Sequence, residues 1–328
     1  MQIEIKKATL YGACDLRIES EPFDTDALEP DQVLVRTLYS GFSTGTDLGN
    51  YLGHSTDLPG APDYPRGVGY SNVGIVTHVG TAVTQVQPGD TVFSIKPHRS
   101  AFVAGKDDLL VPVPAGLDLE QVSLGYLINL GVCALRSARY QTGERVAVIG
   151  LGVIGLCTVA LGHAMGAPTA AIANDPTRAQ LATRLGARNP QGWTEGADIV
   201  VLTANTWSAY RTALDIARYG GRISVLGFPG RGQDPPDFNP LDPHWFYGKQ
   251  LTLTAAGFAP RIECRPADIR FNLRRNLIAI FEWMQSGALD LRPIISHRIP
   301  YDRMLDAYEL ARAHSKQLTA AVFDWRHA

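Results

Sequence analysis

A glycine-rich segment at residues 150–155 carries the clearest chemical signal in the chain. It has the spacing Gly-x-Gly-x-x-Gly, directly after an apolar run at 145–149 and before a helix-compatible apolar stretch at 153–165. At this spacing the first glycine permits a tight turn, the second lets the backbone approach a pyrophosphate, and the third lets a helix pack closely on the strand. The N-terminus of that helix also offers free N–H groups to phosphates. The segment therefore predicts a dinucleotide site formed by Gly150, Gly152, Val153, Ile154 and Gly155.

The adenosine ribose of such a cofactor should meet a polar residue about twenty positions further on. Asn174 and Asp175 stand there, at the end of a predicted strand over residues 169–173. Asp175 would accept from the ribose 2′-OH and repel a 2′-phosphate, which favours NAD, whereas Asn174 with Arg178 nearby could tolerate NADP. Both cofactors stay open, with NAD slightly favoured. Asp175 before a proline also suits a helix N-cap, and the two roles can hold at once.

Strands and helices alternate after the glycine-rich segment. Apolar strands are predicted at residues 197–204, 220–228 and 250–257, with a helix at 207–219. This alternation indicates an α/β fold with a doubly wound parallel sheet, in which ligands bind at the carboxyl ends of the strands. The further residues predicted to bind the cofactor at these ends are Thr203, Gly227, Phe228 and Gly257.

The first 125 residues form a separate, mostly β module, with strands predicted at 32–40, 72–79 and 91–95. A length of 328 residues, 45% of them hydrophobic and 19% charged, suits two globular domains. The net charge of −2 without a basic run argues against nucleic-acid and membrane partners. The N-terminal segment lacks an apolar signal core, so we expect a cytoplasmic protein that acts on a small molecule.

The four cysteines are scattered, without a Cys-x-x-Cys pair. This distribution argues against a structural zinc ribbon and against a disulfide scaffold. We therefore expect Cys14, Cys133, Cys157 and Cys264 to be buried, reduced thiols.

Several ordered motifs resemble the medium-chain dehydrogenase/reductase superfamily over essentially the whole chain. They are Gly-Thr-Asp at 45–47, the segments at 69–76, 86–92 and 249–254, the glycine-rich segment, and Ala-Ala-Val-Phe-Asp at 320–324. The segment at 40–47 is also similar to that of bacteriochlorophyllide-type and polyol dehydrogenases. The resemblance implies a GroES-like β catalytic domain of residues 1–125 and 259–328, a Rossmann domain of residues 126–258, and a substrate in the cleft. Helices expected at 269–285 and 301–314 would then return to the catalytic domain.

The chain departs from the zinc-dependent members of this superfamily at the metal ligands. Those members have a Cys before Gly-Thr-Asp, a His-Glu pair at 70–71 and a Cys or Asp near 129, whereas this chain has Thr44, Tyr70, Ser71 and Asn129. Zinc prefers thiolate, imidazole and carboxylate donors, so the resemblance with these departures implies a zinc-free member. The histidines nearby lack ligand spacing and are expected to be surface or loop residues: His54, His78 and His98.

Without a metal, another group must polarise the carbonyl and carry the proton. Tyr70 is the predicted donor because it replaces a metal ligand of the family. By the same resemblance, Asp47 matches the family's acid beside the metal and is expected to hydrogen-bond Tyr70, and Thr46 takes the place of a proton-relay hydroxyl. The alternatives are that Tyr70 is a packing aromatic and that Asp47 caps a helix starting at Leu48. The proton would then come from Thr46, His54 or solvent.

These observations predict NAD(P)-dependent, zinc-independent hydride transfer between nicotinamide and a secondary alcohol or ketone. A polyol, sugar or secondary-metabolite substrate needs several convergent polar groups. The residues predicted to bind it are Ser43, Thr44, Tyr51, His54, Arg66 and Asn129. A zinc-free enoyl or quinone reductase and a non-catalytic nucleotide-binding protein remain the alternatives. A homodimer is expected through an edge strand at 249–254, as the resemblance also implies.

Overall fold

The computed structural model describes residues 1–54, 63–257 and 271–328. The chain forms two compact units. The first unit comprises Met1–Tyr126, Leu277–Gln285 and Ile295–Ala328, and the second comprises Leu127–Asn276 and Ser286–Ile294. The second unit thus extends beyond residue 258, where we placed the end of the Rossmann domain. The assignment of a function to each domain stays a prediction.

The N-terminal part of the first unit is built from strands and two short helices. The strands are β1 (Gln2–Gly12), β2 (Asp15–Asp24), β3 (Val33–Phe42), β4 (Arg66–Gly67), β5 (Asn72–Val79), β6 (Thr91–Ser94), β7 (Ala101–Ala104) and β8 (Val111–Pro112), and the helices are α1 (Thr46–Tyr51) and α2 (Leu119–Val122). The three predicted strands are present as β3, β5 and β6, within two residues of their expected ends.

The second unit alternates helices with parallel strands. Its elements are α3 (Gly125–Ser137, whose first two residues belong to the first unit), β9 (Val146–Ile149), α4 (Val153–Ala164), β10 (Thr169–Ile172), α5 (Pro176–Arg184), β11 (Ala197–Leu202), α6 (Trp207–Ile216), β12 (Ala217–Val225) and β13 (Thr252–Ala255). The strand order is β10-β9-β11-β12-β13, with every pair parallel. The predicted doubly wound α/β sheet is confirmed.

The helix predicted over residues 207–219 ends early, at Ile216. Ala217 instead opens β12 and pairs with Ala197 at the start of β11. The Lys249 ammonium also donates to the Leu214, Asp215 and Ala217 carbonyls at 2.7–3.0 Å, which satisfies the end of the helix. Long-range pairing therefore overrides the helical pattern of the last three residues.

The C-terminal elements are α7 (Leu273–Gln285), β14 (Ile295–Pro300), α8 (Met304–Arg312) and β15 (Ala320–Asp324). β15 pairs antiparallel with β3 and parallel with β14, so the chain end completes a sheet of order β14-β15-β3-β5-β6-β8, with β7 beside β3. The first residues of the helix predicted at 269–285 lie outside the described residues. The one predicted at 301–314 is a 3₁₀ turn followed by α8.

A buried aromatic cluster fixes α8 against this sheet. Phe42 of β3 and Tyr308 of α8 meet edge to face with ring centroids 4.9 Å apart, and Phe323 of β15 lies 5.6 Å from Phe42. All three side chains are fully buried. The cluster holds the end of β3 rigidly, immediately before the Gly-Thr-Asp motif.

The thiol prediction holds for two cysteines and is wrong for one. Cys133 and Cys157 are buried, but Cys14 is exposed because it occupies the turn between β1 and β2. Cys264 lies outside the described residues. Within the described residues, no helix is both long and apolar enough to span a membrane.

Candidate active site

The glycine-rich turn between β9 and α4 has the geometry that a pyrophosphate requires. Gly150 adopts a positive φ of 90°, and a Cβ there would lie 2.8 Å from the Ala204 nitrogen. A Cβ on Gly155 would strike the carbonyl oxygen of Gly150. Gly152, the N-cap of α4, has no atom of the described residues within 4 Å of a Cβ position. The turn is thus tightly packed at Gly150 and Gly155 and open at Gly152, where α4 begins. Its first N–H groups can there bind the pyrophosphate of a dinucleotide.

Residues that follow β11 and β12 pack against this turn and against one another. Thr203 Oγ1 lies 2.8 Å from the Gly150 carbonyl oxygen. Asn205 Oδ1 accepts from the Phe228 N–H at 2.8 Å. A Cβ on Gly227 would come within 2.6 Å of the Ala204 carbonyl oxygen. Asn205 was not among the predicted site residues, although its position three residues after β11 was a signal.

Two other predicted cofactor residues are less constrained. Phe228 is 46% exposed, and its ring is covered on one side by the Arg231 guanidinium at 5.0 Å. Gly257 has a φ of 118°, which an L side chain rarely adopts, and it is the last described residue before position 271. Their roles in cofactor binding stay predictions.

Asp175 is the N-cap of α5, as one of the two interpretations of the sequence held. Its Oδ1 accepts from the Thr177 N–H at 2.9 Å, and its Oδ2 lies 3.8 Å from Arg178 Nε. Arg178 also donates to the Leu151 carbonyl at 2.7 Å, which places the guanidinium against the glycine-rich turn. Asn174 is exposed beside them. The structure thus presents a carboxylate and a guanidinium together, and both cofactors remain possible.

In the first unit, Tyr70 stands in a cluster of hydroxyl groups. The Ser43 and Thr46 side chains lie beside its phenol, and their polar interaction with it favours the phenolate. The Tyr126 ring packs edge-on against it, with ring centroids 5.0 Å apart. Tyr70 is closely surrounded but keeps part of its surface accessible. Burial, together with the negative charge of Asp47, holds the pKa of Tyr70 well above its ordinary value. The phenol therefore stays protonated at neutral pH.

Asp47 is fully buried and organises the backbone around this cluster. Its Oδ2 accepts from the Ser43 N–H at 2.9 Å, and its Oδ1 accepts from the Gly69 N–H at 3.2 Å. α1 begins at Thr46, so Asp47 lies in its first turn and caps no helix starting at Leu48. The expected hydrogen bond to Tyr70 is also absent among the described contacts. Asp47 acts on Tyr70 through its charge instead.

His98 lies in a loop, as predicted, but it is not at the surface. Its side chain is only 1% exposed. Its Nδ1 lies 2.7 Å from Ser40 Oγ, and its Nε2 lies 3.6 Å from Asp47 Oδ2. A single histidine gives no periodic signal in the sequence, and only the folding of the loop after β6 onto β3 brings it here. The other two histidines agree better, since His54 is exposed and His78 is half-buried on β5.

The predicted substrate residues of the first unit separate into two groups. Ser43 is buried beside Tyr70, and Thr44 follows it with partial exposure. Tyr51 lies instead in the apolar core, where its hydroxyl donates to Glu309 Oε1 at 2.8 Å. This burial and this bond argue against a contact between Tyr51 and substrate.

Two further predicted substrate residues lie near the undescribed segment at 55–62. His54 is the last residue described before it. Arg66 is 7% exposed and stacks its guanidinium over the Tyr64 ring at 4.6 Å. A substrate role for either residue stays a prediction.

Asn129 belongs to the second unit and is 1% exposed. Its Oδ1 accepts from Asn276 Nδ2 at 2.7 Å and lies 3.9 Å from the Cys133 sulfur. Arg136 in turn donates to the Asn276 side chain. The oxygen of Asn129 is thus already used in holding α3 to the start of α7.

The residues at the family's metal positions do not fit a catalytic zinc. Ser71 donates to the Ser123 carbonyl at 2.6 Å and accepts from the Tyr126 N–H at 3.3 Å, so its hydroxyl is held by two backbone groups. Thr44 and Tyr70 offer only neutral hydroxyl groups, which are poor zinc donors. Among the described residues, no three His, Cys, Asp or Glu side chains are grouped to hold a metal ion.

Comparison with known proteins supports this two-part construction. Residues 29–134 match the alcohol dehydrogenase GroES-like domain, and residues 153–267 match a zinc-binding dehydrogenase domain. The chain is 28% identical to a probable zinc-binding alcohol dehydrogenase of Mycobacterium tuberculosis, over 95% of this chain and 86% of that protein. It is 24% identical to a sorbitol dehydrogenase of Bacillus subtilis, over 70% of this chain and 77% of that protein.

A solved structure shows the same fold. The crystal structure of 2R,3R-butanediol dehydrogenase from Bacillus subtilis aligns with a TM-score of 0.77 and 20% identity, over 98% of this chain and 99% of that one. The GroES-like domain and the Rossmann-type sheet predicted from the sequence are therefore confirmed.

Proposed function

The chain belongs to the medium-chain dehydrogenase/reductase family of NAD(P)-dependent alcohol dehydrogenases, and on this premise we propose that it transfers hydride without zinc. The substrate pair would be a secondary alcohol and its ketone. One observation carries the proposal: the Tyr70 phenol lies beside the Ser43 and Thr46 side chains, at the motif where zinc-dependent relatives place metal ligands. A hydroxyl cluster there can polarise the substrate carbonyl and supply the proton, which are the two tasks that a catalytic metal site would otherwise serve.

In ketone reduction, Tyr70 would donate a hydrogen bond to the substrate oxygen. As negative charge develops on that oxygen, the phenol passes its proton to it, and the Ser43 and Thr46 hydroxyls stabilise the phenolate that remains. Thr46 is half-buried and would return a proton to Tyr70 from solvent. The nicotinamide, when bound, supplies or accepts the hydride.

The raised pKa of Tyr70 bears on the direction of the reaction. A phenol that holds its proton at neutral pH is available to donate to a carbonyl, whereas alcohol oxidation needs the phenolate as its base. The raised pKa also makes the phenolate left after proton transfer less stable, so the Ser43 and Thr46 hydroxyls must stabilise it.

The substrate class follows from the uncharged polar groups near Tyr70. Ser43, Thr44 and Thr46 present hydroxyls, which suit a neutral diol or polyol better than an anionic substrate. The relatives named for sorbitol and 2R,3R-butanediol point to the same chemistry. Arg66 and His54 stay predicted contacts for the far end of the substrate.

The proposal of zinc independence rests on donor chemistry. The family model is described as zinc-binding, whereas Thr44, Tyr70, Ser71 and Asn129 replace the thiolate, imidazole and carboxylate donors that a catalytic zinc needs. Three hydroxyls and an amide would hold zinc weakly. We propose that hydrogen-bond donation by Tyr70 replaces the Lewis acid.

A cofactor-linked screen tests this function directly. The purified protein is assayed with NAD and NADP against secondary alcohols, diols and polyols, and with NADH and NADPH against ketones and enones. Turnover of the alcohol and ketone pair supports the proposal. Turnover of enones alone would favour an enoyl or quinone reductase. Nucleotide binding without any turnover would favour a non-catalytic protein.

A further inference from the structure

A chain of four buried side chains lies beside the Tyr70 cluster, and the proposed proton transfer uses none of them directly. Trp325, Ser40, His98 and Asp47 are each no more than 1% exposed. Trp325 Nε1 donates to Ser40 Oγ at 2.8 Å. Ser40 Oγ lies 2.7 Å from His98 Nδ1, and His98 Nε2 lies 3.6 Å from Asp47 Oδ2. The chain thus runs from the end of β15 through β3 to the first turn of α1.

The partners in this chain favour one tautomer of the His98 imidazole. Ser40 Oγ receives the indole N–H of Trp325, which can only donate, so the Ser40 proton is free to point at His98 Nδ1. The other ring nitrogen faces the Asp47 carboxylate, which as an anion can only accept. We therefore assign the proton of the neutral imidazole to Nε2, the ring nitrogen that faces the carboxylate at 3.6 Å.

His98 also shapes the backbone that leads into Tyr70. The main-chain N–H of His98 donates to the Val68 carbonyl at 2.7 Å. Gly69 has a φ of 85°, and a Cβ there would lie 2.5 Å from the imidazole ring atoms, so the ring sits directly against that glycine. The Gly69 N–H is held from the other side by Asp47. The backbone of the two residues before Tyr70 is thus held in place by contacts with His98 on one side and with Asp47 on the other.

We propose that His98 is a positioning residue for Tyr70. Its ring packs against Gly69, and its Nε2 faces the Asp47 carboxylate at 3.6 Å without a hydrogen bond, as a purely electrostatic contact. Asp47 in turn accepts from the Ser43 and Gly69 N–H groups next to the phenol. This inference rests on the proposed function, because it assigns His98 a role through Tyr70. Loss of the ring removes the packing against Gly69 and the N–H that faces the carboxylate, so the Gly69–Tyr70 backbone and the phenol shift from the donating position.

Two substitutions of similar size separate this role from simple packing. His98→Gln places an amide N–H where Nε2 stood, whereas His98→Asn reaches only the position of Nδ1 and leaves Asp47 without that donor. We expect His98→Asn to slow single-turnover hydride transfer roughly 10- to 100-fold, the effect of misplacing a reacting group by about 1 Å. His98→Gln should recover most of the rate. Nucleotide affinity should stay unchanged in both variants.

The effect must also depend on the phenol. In a Tyr70→Phe background, His98→Asn should slow hydride transfer little further, because the phenol that His98 positions is gone. An equal loss in both backgrounds would overturn the proposal, as would equal rates for the Gln and Asn variants. His78→Asn, at a half-buried histidine of β5, is the matched control and should keep the native rate.

A spectroscopic measurement tests the inference even if the variants do not fold or the protein shows no activity. In ¹⁵N-labelled wild-type protein, His98 should show a protonated Nε2, and Ser40→Ala should change the signal of Nδ1. A proton found on Nδ1 alone would overturn the inference. If the native protein reduces no ketone, the proposed function fails, while a protonated Nε2 would still support the contact between His98 and Asp47.

Discussion

The Gly69 N–H donates to Asp47 Oδ1 at 3.2 Å, and this bond joins the first turn of α1 to the turn that carries Tyr70. A carboxylate can be fully buried only when its oxygens are hydrogen-bonded, and here backbone N–H groups supply most of those bonds. The negative charge left in the interior disfavours a phenolate next to it. Asp47 therefore both places Tyr70 and keeps it protonated.

Tyr70→Phe removes the proposed donor and keeps the ring. We expect turnover to fall by roughly 10² to 10⁴, the usual range for a positioned acid, with nucleotide affinity unchanged. Asp47→Asn should reduce turnover less, because it disturbs the orientation of Tyr70 but leaves the phenol in place. Steady-state kinetics with the substrate found in the screen, alongside a nucleotide titration, measures both effects.

Tyr308→Phe is the matched control for this substitution. Tyr308 is fully buried, and its hydroxyl has no hydrogen-bond partner among the described residues. Its loss should leave turnover unchanged. Near-native turnover of Tyr70→Phe would show that Tyr70 only packs, and that the proton comes from Thr46, His54 or solvent.

The cofactor preference should depend on Asp175 and Arg178. We expect NADH to bind at least as tightly as NADPH, and Asp175→Ala to weaken NADH binding while it removes the cap of α5, at a cost of about 1 kcal/mol in stability. Asp118→Ala removes the equivalent cap of α2 and should leave nucleotide binding intact. Much tighter binding of NADPH, weakened by Arg178→Ala, would reverse the preference.

Alkaline pH should destabilise the fold through its buried tyrosines. Burial, with the Glu309 carboxylate, raises the pKa of Tyr51 to about 12, and burial raises the pKa of Tyr308 well above its ordinary value. The folded state thus holds these protons more tightly than the unfolded chain, where tyrosine has a pKa of about 10. The stability that these tyrosines contribute should be fully present below about pH 10 and should be lost as the pH rises above it.

The denaturation midpoint in urea, measured at several pH values from neutral to alkaline, tests this expectation. Tyr51→Phe should reduce the alkaline loss of stability, because it removes one group with a shifted pKa. A midpoint that stays constant or rises above about pH 10 would contradict the pKa shifts.

The edge strand β13 should carry a homodimer contact. It ends the parallel sheet of the second unit, and Thr252 on it is exposed. An unpaired strand edge is a template for a symmetry-related copy. Light scattering at micromolar concentration should give the mass of a dimer, and Thr252→Lys should weaken it by placing like charges across the two-fold axis. Thr183→Lys on the exposed face of α5 is the control, and a monomeric native protein would refute the contact.

The parts of the site that local spacing defines were predictable from the sequence. The positive φ of Gly150, its close contact with Gly155 and the Asp175 cap depend on neighbours within a few residues, so their geometry follows from residue type and order. His98 and Tyr51 could not be placed in this way. Their partners Ser40 and Glu309 lie 58 and 258 residues away in the chain. Such contacts arise only when the sheet and α8 assemble.

The central claim is that hydroxyl groups replace a catalytic metal. Elemental analysis and ketone reduction, measured on one purified sample before and after prolonged treatment with a chelator, test it most directly. We predict no stoichiometric zinc and the same turnover in both states. About one tightly bound zinc per chain, with the open coordination position of a catalytic site and with turnover lost on its removal, would contradict the account.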